Sequence, residues 1–427
     1  MIALRRRTHY LAMTGFVALT LAPRAEAATR PFVVYDDDGT LAKGPSGGVP
    51  SYAKKLLERY DSAGLKRPDV LSIWTTFPLR KDNVGTYVLP LKNDVKGIGM
   101  EKEHGGDGLF DEGLGCRAVL IHNNVRFLGT RATLAGTNKT SFAEYLFLLE
   151  LSHLWGPAAR LPASASVPSV PVDALIGFTY HWSFFMDGGG SVAGGNVWNE
   201  LGGGRFRAKT MDPDTLGFSK LDLYLMGMAE PSEVPPFSVL TDVENEGAAV
   251  DPYTDSPVSP TTFPWFADTE VTVKAMRKTV TVDDVIAANG PRVPSAKDSP
   301  RNFTLGIALA VAPDTPDTER AEVTAQMDLV AKRLAPAFSR ATSGRGSLEV
   351  ITVQEVADAA AEPNAAAQPQ SPGNDGTSPP AATPTPAPAE SGGCATLARH
   401  PRGEQIGIAM AGMALLAVSR RLRRRTR

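Results

Sequence analysis

Cysteine is nearly absent from this chain: Cys116 and Cys394 are the only two in 427 residues. Cys394 falls in a terminal segment that reads as a tail, so no disulfide closes within the folded part, which must rely on core packing or on metal. Histidine is scarce as well. Six occur, and His104, His122, His153 and His181 are the four inside the region that reads as folded, so a zinc site has few imidazoles to draw on. Excess positive charge is also missing. Residues 1–27 and those after Cys394 hold twelve of the 44 basic residues and two of the 46 acidic ones, leaving 32 against 44, a net of −12. A surface of that sign has no electrostatic basis for holding phosphate backbones, which argues against nucleic acid as a partner.

The apolar runs at the two ends are both shorter than the ~20 residues of a permanent membrane span. Leu11–Ala22 follows Arg5, Arg6 and Arg7 and leads to a small-x-small site, Ala25-Glu26-Ala27. This is the layout of a cleavable export signal, with a mature chain beginning near Ala28. Ile406–Val418 follows Gly392-Gly393-Cys394 and precedes arginines at 420, 421, 423, 424, 425 and 427. Positive charge of that density stays cytoplasmic, so the segment inserts and stalls. The expectation is export to the cell surface or outer membrane, with the tail as the membrane contact. Residues 359–393 are rich in Ala, Pro and Ser and read as a disordered stalk.

The folded part is therefore 28–358, with a possible break near 240–270. "DVLSIWTTFPL", "GTYVLPL" and "CRAVLIHNNV" are short β-branched and aromatic runs punctuated by turn residues, which predicts strands. A helix follows, opened by a capping box at Ser141 and Glu144, stopped by Gly156-Pro157 and apolar nearly all round, hence buried. "DGGGSVAGGNVWNELGGG" carries eight glycines and predicts tight turns or a loop in close approach. Ser219 and Asp222 cap a second helix, Thr281 opens a third, "NFTLGIALAVAP" reads as a buried strand, and 319–338 is amphipathic through Val323, Met327, Val330 and Leu334. The order predicts an α+β fold with a sheet packed on the buried helix.

That helix carries "LLELSHLWGP", in which Glu150 and His153 stand as they do in His-Glu-x-x-His. Residues four apart share a helix face, so a His at 149 and His153 would reach one zinc, with Glu150 beside a bound water. Leu149 removes the first ligand. The bland alternative is a satisfied polar pair, three apart on a buried helix. Asp222 reads as the cap of its helix, His122 as a strand-end residue and Cys116 as a small thiol of core or loop.

"HWSFFMDGGGSVAGGNVW", "GFSKLDLYLMGMAEPSEVPP" and "FTLGIALAVAP", with "SIWTTFPL" and "NDVKGIG" upstream, resemble a family of exported bacterial zinc metallopeptidase-like proteins over most of residues 65–350. In that family a His-Glu-Leu-Gly-His-x-Trp helix precedes "HWS", a Gly-rich loop and "LDLYLMGL". The resemblance implies a zincin-like fold. It places Glu150 on the catalytic Glu, His153 on the second zinc His and Trp155 on the Trp, while Leu149 occupies the first zinc position and Ser152 replaces the Gly. His181 is the best candidate for a further ligand. The order of Cys, apolar run and arginines at the end resembles the myxobacterial C-terminal sorting signal (MYXO-CTERM), which implies processing near Cys394 and surface display.

The expected function is a surface-tethered, non-catalytic relative that binds a protein or peptide in the old cleft. A working metallopeptidase with a non-standard ligand set, using His153, His181 and Glu150, is the alternative; a purely structural surface module is the third. The expected cofactor is none, or zinc held weakly.

Overall fold

The computed structural model describes residues 29–39, 41, 49–79, 86–91, 94–100, 114–126, 142–163, 170–177, 180–209, 217–245, 257–262 and 271–354. The export signal, stalk and tail expected from the sequence lie outside them, as does the cap position Ser141. The chain divides into two compact units. The first takes residues 1–29 and 354–375, and the second, 30–353 with 376–427, holds the sheet, barrel and helices.

The strands of this unit are β1 Val33–Asp36, β2 Val70–Thr75, β3 Tyr87–Pro90, β4 Ala118–Asn124, β5 Trp182–Asp187, β6 Gly194–Gly202, β7 Arg205–Lys209, β8 Phe237–Asn245, β9 Val271–Val280, β10 Asn302–Val311 and β11 Ser347–Val350. Its helices are α1 Val49–Ser62, α2 Phe142–Ser152, α3 Lys220–Leu225, α4 Val282–Asn289 and α5 Asp317–Ala341.

One sheet has the order β11-β10-β2-β4-β3, with β1 beside the second half of β10. β10 pairs in parallel with β2, β1 and β11, and β2 pairs in parallel with β4. β3 alone runs antiparallel, on β4. A strand enclosed on both faces needs apolar side chains in both directions, which is why β10 reads as the near-continuous run "LGIALAV".

Strand alternation sends Leu71, Ile73, Val119 and Ile121 to one face, where α1 lays down Tyr52, Leu56 and Leu57. Leu120, Leu305, Ile307 and Leu309 go to the other, under α2 and α5. Helices thus cover both faces, and the layering is mixed α/β. The strands before α2 that suggest segregation are one half of a sheet whose centre, β10, arrives only after an intervening barrel.

On α5, Val323, Met327, Val330 and Leu334 are buried on one face as the spacing predicts. Glu144 in the first turn of α2 is buried and takes Arg333 Nε at 2.5 Å and Arg340 Nη2 at 2.8 Å, pinning α2 to α5.

Strands β5 to β9 close into a five-stranded barrel in the order β9-β7-β6-β5-β8. Phe184, Phe185, Trp198, Phe206, Val271 and Val273 fill it. The glycine-rich segment differs from its expectation. A bend at Gly188–Gly189 and a turn at Val192–Ala193, closed by Gly194 N–H donating to Ser191 O at 3.1 Å, do form, but Gly194–Gly202 is strand β6, because Val197 and Trp198 and the residues after them pair with β7. Of residues 240–270, where a break is expected, 240–245 belong to β8 inside the barrel, 257–262 are described outside any named strand, and 246–256 and 263–270 lie outside the described residues.

Candidate functional site

Helix α2 runs through the core, with every residue from Ala143 to Ser152 buried. Its end decides what the motif does. After Ser152 the backbone tightens: His153, Leu154 and Trp155 N–H groups donate to the carbonyls of Glu150, Leu151 and Ser152 at 3.3, 3.2 and 3.0 Å. Bonds of this i to i+3 type wind the chain faster than an α-helix and bring residues three apart into eclipse. Glu150 and His153 therefore share a row, with His153 Nε2 4.0 Å from Glu150 Oε2. Leu149 is 1% exposed and belongs to the apolar core beneath the sheet.

Across from the helix end, His181 immediately precedes β5. Its ring stands perpendicular to that of His153, centroids 4.9 Å apart, and the Tyr180 ring lies 6.0 Å from His153 on the same side. Tyr180 holds φ +58°, a left-handed conformation uncommon for a residue with a Cβ, and so directs the chain into β5 at this point. Gly194 makes the approach of β6 possible: at φ +111°, a Cβ there would lie 3.0 Å from the Trp182 carbonyl oxygen.

A fourth member has no counterpart in the sequence motif. Thr86, one residue before β3, donates its hydroxyl to Glu150 Oε1 at 2.5 Å. No local pattern around Thr86 announces it, because its partner is 64 positions away.

Burial governs the electrostatics. It pushes the Glu150 carboxyl up to about 7, opposed by the Thr86 hydrogen bond. It holds His153 well below the usual imidazole range, with the neighbouring His181 acting in the same direction. Both imidazoles sit 7% exposed and Glu150 5%.

Other candidates fall elsewhere. Asp222 is the cap the sequence predicts: its N–H donates to the Ser219 hydroxyl oxygen at 3.1 Å, its Oδ2 accepts from Ser219 N–H at 2.6 Å, and its Oδ1 accepts from Trp182 Nε1 at 2.7 Å. His122 lies within β4 rather than at a strand terminus, fully buried and stacked on Trp74 at 4.1 Å. Burial pushes it down to about 3. Cys116 is half-buried with its thiol pushed up to about 11, as burial of an anion requires. His104 lies outside the described residues.

A catalytic zinc takes three protein ligands and keeps one position open. The site offers two imidazoles and a carboxylate already bonded to Thr86, and residue 149 has no donor atom. Among the described residues, no group of three or more His, Cys, Asp and Glu is arranged to hold a metal ion. The described residues do not by themselves make up a catalytic zinc site. Chemically, the cluster is a buried carboxyl group beside a hydroxyl donor and two imidazole rings. No protein-family model, no curated protein and no solved structure matches the chain.

Proposed function

We propose that this chain is an exported, surface-tethered protein with a zincin-like core that has left metal-dependent hydrolysis behind and binds a protein or peptide in the former cleft. The observation that carries this reading is Leu149. It sits where the resemblance requires the first zinc ligand, it has no donor atom, and its side chain is committed to the core. Thr86 supports it further, since the carboxylate oxygen that a peptidase would offer to water is occupied by a hydroxyl.

Strand β3 supports the choice of ligand. It pairs with β4 on one side, and among the described residues no strand pairs with its other edge. Thr86 leads into this strand, so a segment added along the free edge by backbone hydrogen bonds passes the Glu150 cluster. The terminal segments support export and tethering on sequence grounds alone. Among the described residues, no helix is long and apolar enough to cross a membrane.

One observation favours a working metallopeptidase as the second reading: His153 and His181 stand together beside Glu150. Peptide binding separates the two. The mature protein, mixed with a random peptide pool in the presence of a strong chelator, retains peptides intact under our reading. Cleavage that chelator abolishes is the outcome of the other.

A further inference from the structure

We draw no further inference here: the strongest candidate, the surface of barrel strands β6, β7 and β9 that exposes Leu201 and Met276 together with Arg205 and Lys274, carries nothing, because Glu244 already pairs with Lys274 and nothing among the described residues shows what covers it.

Discussion

The Thr86 hydroxyl donates to Glu150 Oε1 at 2.5 Å, tying the start of β3 to the last turn of α2. The bond holds the carboxyl group of the sequence motif, and it does so from a strand whose other edge pairs with no strand among the described residues. Edge strand and motif residue are one mechanical unit.

Stability should therefore respond to pH through Glu150. Burial raises its carboxyl to about 7, above the ~4.3 of an unfolded chain. The stability contributed by the neutral form is complete below pH ~4.3 and is lost as pH rises through about 7. Glu150→Gln never ionises, so it should match the native protein at pH 4 and exceed it at pH 8 by up to about 3 kcal/mol. Thr86→Val removes the one hydroxyl donor and should lose about 1–3 kcal/mol at pH 8. Denaturant melts at the two pH values measure both. A Glu150→Gln protein weaker than native at pH 8 contradicts the assignment.

His122 should give the opposite slope. Burial lowers it to about 3, below the ~6.5 of an unfolded chain, so its stability is complete above pH 6.5 and is lost as pH falls through 3. Neither ring nitrogen has a hydrogen-bond partner, and the stack on Trp74 does not need one. His122→Phe keeps a ring there without titrating. Between pH 6.5 and 4 it should avoid a loss of about 3 kcal/mol suffered by the native protein. Equal slopes in melting temperature over that range count against it.

Much of this was legible where the cause is local. The capping box at Ser219–Asp222 is a four-residue pattern that forms as read, and the helix expected to open at Thr281 does so, with Asp284 completing a box there. The apolar row Val323, Met327, Val330 and Leu334 fixes the buried face of α5 for the same reason. Helix α1 is absent from the sequence reading, although Tyr52, Ala53, Leu56, Leu57 and Tyr60 carry a helical period that would have found it. The barrel was not legible: the glycines of 187–204 outweigh the short pairing run within them, and closure depends on β9, which lies far along the chain. In the site, Glu150 and His153 were legible as a pair. The turn that eclipses them, and Thr86, depend on tertiary packing.

Leu149→His tests whether the motif can be rebuilt. Because residue 149 is 1% exposed and packed in the apolar core, a new imidazole there should be buried without a partner. The expected outcome is a loss of about 1–3 kcal/mol and no gain in zinc affinity. Thermal melting with and without zinc decides it; a melting temperature that rises with zinc in the variant alone shows residue 149 facing the cleft.

Deleting residues 394–427 should move the protein from the cell surface to the medium, since the apolar run and its arginines are the retention signal read from the sequence. Fractionation with an antibody to the folded part measures this. A truncated protein that stays on the surface places the anchor elsewhere.

The central claim is that the motif no longer supports a catalytic metal, and zinc stoichiometry tests it most directly. The mature protein, purified without added metal and dialysed against a weak chelator, should carry well under one zinc per chain, because two imidazoles hold zinc poorly without a third ligand. One zinc per chain surviving that dialysis would contradict the account and make the metallopeptidase reading the better one.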